Sequence, residues 1–152
     1  MRGLVREAQQ TDIDEMLDDG LRSADLLEIE ASGYSPRQSL ERGLRCSLPC
    51  LAVEVDGKCC GMFGVVADTR YELAGNIWFL GTDRIQKVKI QFLRESERWL
   101  EEITKNYRSV SNYIHQDNTL HIKWLKWLGF SFFKKVGPFI EFGRINPCVT
   151  QV

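Results

Sequence analysis

A chain of 152 residues, 43% hydrophobic and 27% charged, has the size and balance of one globular domain around a single core. Its formal net charge of -1 removes any bulk pull toward nucleic acid or an anionic membrane, so an anion site must be local. No run approaches the roughly 20 apolar residues of a membrane span, and the opening MRGLVREAQQTDIDEM has no apolar signal core, so a cytoplasmic location is expected.

Leu4-Val5-Arg6-Glu7-Ala8 reads as a short strand. Thr11 is placed to cap the next helix, Asp12 and Asp14 suit its first turn, and Ile13, Met16 and Leu17 form its apolar stripe up to Gly20. A second helix is expected over 21–32, stopped by Gly33. Within it Arg22, Asp25 and Glu28 fall at i, i+3 spacing, which reads most simply as a surface ion-pair ladder. Ser35-Pro36-Arg37-Gln38 opens a third helix: Ser35 caps, Pro36 fits the first turn and Gln38 completes a capping box.

In LAVEVDGKCCGMFGVVA, Leu51, Val53 and Val55 alternate onto one face, and Asp56-Gly57 marks a tight hairpin that returns along 59–66. Gly61 and Gly64 mark a bulge or a close approach in that returning strand. Residues 77–80 form the third strand. A long helix is then expected over 84–107, its core stripe made by Ile85, Val88, Phe92, Trp99 and Ile103, its wet face by Glu95, Glu97, Arg98, Glu101 and Glu102. Its first turn carries Arg84, Lys87 and Lys89. Cations sit badly at a helix N-terminus, whose unpaired N–H groups already carry partial positive charge. Either solvent dilutes the conflict or an anion sits there.

A strand at 110–115 follows, then a short helix over 119–128 capped by Asn118 or Thr119 and ended by Gly129. His121 and Trp124 share a face of that helix and are expected to pack under the sheet. Strands at 130–136 and 139–145 close the chain around Gly137-Pro138, giving one domain over 1–146 with a loosely held tail at 147–152. The five cysteines, Cys46, Cys50, Cys59, Cys60 and Cys148, are odd in number and form no CxxC, so neither a disulfide framework nor a zinc site is expected.

This order, an α/β fold with a mixed, mostly antiparallel central sheet and helices on both faces, resembles the GNAT fold of acetyl-CoA-dependent N-acetyltransferases. LVREAQQTDIDEM is similar to that family's opening strand and helix, LAVEVDGKCCGMFGVV to its central hairpin, and NTLHIKWLKWLGF to its C-terminal helix. WFLGTD, NYIHQDN and HIKWLKWLGF resemble more closely a group of short GNAT-like proteins carried by tailed phages and prophages. That group includes the small internal-virion or morphogenesis protein of T-odd, short-tailed coliphages, and LRSADLLEIEASGYSPRQSL is similar to its Arg…Asp…Glu helix.

The resemblance implies acetyl-CoA in a gap between the fourth and fifth strands. The family's pyrophosphate turn, [Q/R]-x-x-G-x-[G/A], lets backbone N–H groups approach the phosphates. Its register here begins at Arg84 and puts Lys87 and Lys89 on the glycine positions. By this likeness Arg84 and Lys87 would hold pyrophosphate by charge, Phe79, Leu80, Gly81 and Thr82 would line the pantetheine arm, and Asn118 the far side. The general-acid Tyr of many GNAT enzymes falls on Leu125, which cannot transfer a proton, leaving Tyr113 and His115 as substitutes. Glu28, Asp83 and His115 are candidate bases, although helix capping is the simplest role for Asp83. The implied partners are acyl-CoA with an amine acceptor that the sequence does not name, or a phage or host protein in virion morphogenesis.

Overall fold

The computed structural model describes residues 3–146; the tail at 147–152 lies outside the described residues. Chain order is β1 Gly3–Glu7, α1 Gln10–Asp19, α2 Ser23–Ser32, α3 Pro36–Cys46, β2 Ser47–Val55, β3 Lys58–Ala67, β4 Ala74–Gly81, a 3-10 turn at Asp83–Val88, α4 Lys89–Thr104, β5 Ser109–His115, α5 Thr119–Trp127, β6 Ser131–Val136 and β7 Phe139–Ile145. The strands form one 7-stranded sheet in the order β1-β2-β3-β4-β5-β7-β6. Every neighbouring pair is antiparallel except β4 and β5, so the expected mixed, mostly antiparallel sheet is present.

Successive strand residues point to opposite faces, and this splits the core in two. On one face Ile13, Met16, Ile29 and Leu40 of α1, α2 and α3 pack on Ala52, Met62 and Leu80. On the other, Phe92, Leu100, Ile103 and Trp124 of α4 and α5 pack on Leu51, Val53, Phe63 and Ile114. The hairpin at Asp56-Gly57 forms as expected, with φ of 54° and 77°, the paired positive values a primed turn needs. The α3 capping box also forms, Ser35 Oγ accepting from the Gln38 N–H at 3.1 Å.

Three local expectations are corrected. Gln9, not Thr11, precedes α1, because Asp12 turns inward to accept the Gln9 N–H at 2.7 Å and both Arg6 Nη atoms at 2.8 Å. The helix expected over 84–107 is a 3-10 turn followed by an α-helix that starts only at Lys89. A 3-10 period eclipses residues three apart, so Ile85 and Val88 both reach the core, and Val88 (φ -124°, ψ 14°) then resets the chain for α4. Third, α2 begins at Ser23, since Leu21 is spent on a β-bridge to Thr82 at the end of β4.

Candidate functional site: the gap between β4 and β5

The parallel pair β4–β5 lasts only from Ala74↔Ser109 to Asn76↔Ser111, after which the strands diverge. A cleft of about 1220 Å³ runs through the divergence and opens on both faces, lined by Phe63, Phe92 and Trp124 on one and by Trp78, Tyr34 and Arg42 on the other. Register shows which main-chain groups face it. Thr82 donates to the Cys60 carbonyl at 2.9 Å and Asp68 to the Ala74 carbonyl at 2.8 Å, so the even-numbered residues of β4 bond to β3. Ile77, Phe79 and Gly81 therefore present their N–H and C=O groups toward the gap. On β5, Gln116 donates to Pro138 and Asn146 to Arg108, so Tyr113 and His115 face the gap from the other side.

Side chains satisfy several of these groups. At the apex, the Asn112 amide donates to the Ile77 carbonyl at 2.7 Å and accepts the Tyr113 N–H at 2.8 Å, taking the place of a missing strand rung. At the mouth, Asp25 Oδ2 accepts the Gly81 N–H at 2.9 Å, and Glu28 Oε1 accepts the His115 N–H at 3.2 Å. The Arg22 N–H donates to the Gly81 carbonyl at 2.9 Å, and its guanidinium crosses to the start of α5, reaching His121 Nε2 at 2.8 Å and Asn118 Oδ1 at 3.3 Å. Asn118 Nδ2 completes the ring by donating to Glu28 at 3.1 Å. Between apex and mouth, the main-chain pair of Phe79 remains facing the gap.

This arrangement overturns the surface ladder expected for Arg22, Asp25 and Glu28. Arg22 and Asp25 are buried, while Leu26 and Leu27 of the same helix are exposed. The polar side of α2 faces inward because the gap offers it hydrogen bonds that solvent-facing leucines cannot make. Burial pushes the Asp25 carboxyl up to about 7, against the lowering pull of Arg22 at 3.6 Å and the Gly81 N–H. Burial also raises Glu28, with Asn118 and the His115 N–H resisting. His121 is pushed down to about 3 by burial and by Arg22. Arg22 has only donors, so His121 Nε2 accepts from it, while Nδ1 lies 3.3 Å from Asn118 Nδ2 and 4.0 Å from Asp25 Oδ1. The His121 ring stacks on Trp124 (5.2 Å between centroids) and meets Phe79 edge-on at 5.1 Å, the packing role read from helix spacing.

The other sequence-predicted residues scatter. Tyr113 is exposed, its hydroxyl 3.4 Å from Glu141 on the neighbouring strand. His115 packs edge-on to Phe139, and its Nδ1 accepts the Asp117 N–H at 3.1 Å. Leu80 is buried under α1 and α3, and Thr82 is fully buried. Arg84 is tied to Asp19 at the end of α1 at 3.2 Å, while Lys87, Lys89 and Asp83 are exposed. Asp83 is the first residue of the 3-10 turn, and Thr82 precedes it without a side-chain cap bond. Asn118 precedes α5 but spends its side chain on the network instead of a cap. Among the described residues no group of three His, Cys, Asp or Glu could hold a metal ion, and no helix is long and apolar enough to cross a membrane. Asn112 and the inward turn of α2 were missed by sequence reasoning; a polar Asn112 between Val110 and Ile114 on the alternating apolar positions of β5 was the available signal.

The splayed parallel pair, the hairpin and the surrounding helices define a GNAT-like fold. An Ard1 structure from Thermoplasma volcanium aligns with a TM-score of 0.66 at 17% identity over 95% of this chain and 98% of that one. The paia N-acetyltransferase of Thermoplasma acidophilum in complex with coenzyme A aligns with a TM-score of 0.63 at 13% identity, over 96% and 100%. A ribosomal-protein-alanine N-acetyltransferase from Brucella melitensis gives 0.64 at 16%, over 94% and 99%. Within that fold, residues 62–136 match the profile of the family described as "Bacteriophage T7, probable scaffold protein Gp13", a little under half the chain. No curated protein matches the sequence.

The turn after β4 does not fit the pyrophosphate of coenzyme A, the cofactor that the fold implies. The turn after β4 buries Ile85 and engages Arg84 with Asp19, so it offers no glycine cradle for a pyrophosphate. Arg22 also lies across the way from that turn into the gap.

Proposed function

We propose that the protein is a phage-type, single-domain protein over 1–146 that uses the GNAT scaffold for binding, as a virion-morphogenesis or protein-docking module, rather than for acyl transfer. The observation that carries this reading is the self-satisfied gap: Asn112, Asp25, Glu28 and Arg22 occupy main-chain groups that a pantetheine chain would need. The scaffold description of the matching phage family supports it, as do Leu26, Leu27 and Tyr34, large apolar side chains that α2 and its following turn leave exposed. Such a protein would work in the host cytoplasm during assembly and in or on the particle. Millimolar acetyl-CoA should then give neither isothermal heat nor a thermal shift. The protein should co-sediment with virions or their assembly intermediates from cells infected with its own phage. Saturable acetyl-CoA binding with transfer to an amine overturns the reading.

A second reading, acyl transfer from acetyl-CoA to an amine, is favoured by one feature. The Phe79 main-chain pair faces the cleft within the same gap as the partly desolvated carboxyl of Glu28. It predicts acetylation of a polyamine or peptide amine that Glu28→Gln abolishes while the fold persists. Tyr113, His115, Arg84, Lys87 and Asn118 would then be secondary targets for substitution.

A further inference from the structure

We propose that Arg22 is the residue that excludes coenzyme A and any pantetheine-type chain from the gap, so the cleft is closed from within by a bar that a small change can lift. The inference rests on the reading of the cleft as non-catalytic and goes further by assigning the closure to one side chain. Its main chain already pairs with Gly81 at the end of β4, which fixes the root of the bar. Its guanidinium ends at His121 and Asn118, the residues that open α5 just after β5. The side chain thus spans the mouth from the β4 side to the β5 side, and it is buried while doing so.

An arginine suits this position for a physical reason. The groups that its guanidinium meets at the mouth are acceptors: a neutral imidazole nitrogen and an amide oxygen, with the Asp25 carboxyl alongside. A planar fork of five donors serves several of them at once, which a lysine point charge cannot do. Behind the bar, the Phe79 main chain still faces the gap where β4 diverges from β5, beside the apolar wall of Phe63, Phe92 and Trp124. The closure is therefore local, and the cleft behind it is intact.

The test is a gain of binding. The probe is S-acetylpantetheine, because it needs no phosphate cradle. It is titrated against wild type, Asp25→Asn, and the double variant Arg22→Ala/Asp25→Asn, in which the carboxyl 3.6 Å from the guanidinium is removed along with it. Wild type and Asp25→Asn should show no saturable heat up to the highest probe concentration, and the double variant should saturate with a Kd at least about tenfold below that concentration. Near-UV circular dichroism and a cooperative melt establish that the double variant is folded. If it does not fold, Arg22→Lys, which keeps a charge beside Asp25 but cannot reach both His121 and Asn118, must show a gain in the same direction. A folded variant without the gain overturns the assignment to Arg22 and leaves the proposed function standing. Equal binding by wild type overturns both.

Discussion

Replacing Asp25 with Asn should make the protein progressively more stable relative to wild type as pH rises from 4 to 7. The sign follows from linkage. Burial raises the Asp25 carboxyl from 3.8 to about 7 in the folded chain, so the folded state holds a proton that the unfolded state releases. Its stabilising contribution is complete below the unfolded value, declines with rising pH, and is gone above the folded value. A shift of that size corresponds to about 4 kcal/mol at ~1.4 kcal/mol per pH unit. Asn cannot titrate, so the difference between variant and wild-type stability should climb by up to that amount and level off near neutral pH.

The raw wild-type curve would hide this, because His121 acts in the opposite sense. Its folded value lies near 3, below the ordinary 6.5, so it contributes stability above its unfolded value that is lost as pH falls toward 3. The two slopes oppose one another across the mildly acidic range, and only the difference curve isolates the carboxyl. Urea unfolding of both proteins, followed by tryptophan fluorescence at half-unit steps, measures it. A flat difference curve, or one that falls with pH, refutes the assignment of Asp25 as a desolvated acid in the mouth of the gap.

Three further outcomes follow from the packing. Asn112→Ala leaves the Ile77 carbonyl and the Tyr113 N–H without their bridge and should cost about 1–3 kcal/mol, with faster hydrogen exchange at the Tyr113 amide. Gly43→Ala would drive a Cβ into Cζ2 of Trp78 and to 2.7 Å from its Cη2. The indole must move off its 2.8 Å bond to Ser47, costing about 1–3 kcal/mol in urea unfolding. Burial pushes the Cys50 and Cys59 thiols up to about 12 and Cys60 up to about 11, while Cys46 is exposed. Iodoacetamide at neutral pH should therefore alkylate Cys46 in the native protein and reach Cys50, Cys59 and Cys60 only after unfolding, as peptide mapping will read.

The parts of the fold legible in the sequence are those decided within a few residues. Asp56-Gly57 and Ser35-Pro36-Arg37-Gln38 carry their own geometry, because a turn that needs positive φ or a helix start that needs a capping oxygen is satisfied locally. The gap is different. Asn112 bridges to a residue 35 positions away and Arg22 to one 99 away. No periodicity encodes either contact. α2 misleads outright: Arg22, Asp25 and Glu28 read as a surface ion-pair ladder, and the tertiary structure turns them toward the gap while Leu26 and Leu27 face solvent. The long helix failed for a smaller reason, since Ile85 and Val88 fit an α-helical stripe and a 3-10 turn equally well until the next residues are placed.

The three cations after β4 can now be weighed by where their charges go. Arg84 is neutralised by Asp19, while Lys87 in the 3-10 turn and Lys89 at the start of α4 are exposed to solvent. Solvent screening is thus enough to remove the conflict with the start of α4. A lost phosphate cradle alone would leave an enzyme that binds its thioester weakly. A blocked gap alone would leave an enzyme that could reopen. The two features lie on different parts of the chain, share no residue, and oppose the same cofactor independently. Their coincidence supports the proposal that the scaffold serves binding rather than acyl transfer, and a gain of thioester binding by an opened variant over the native protein tests it.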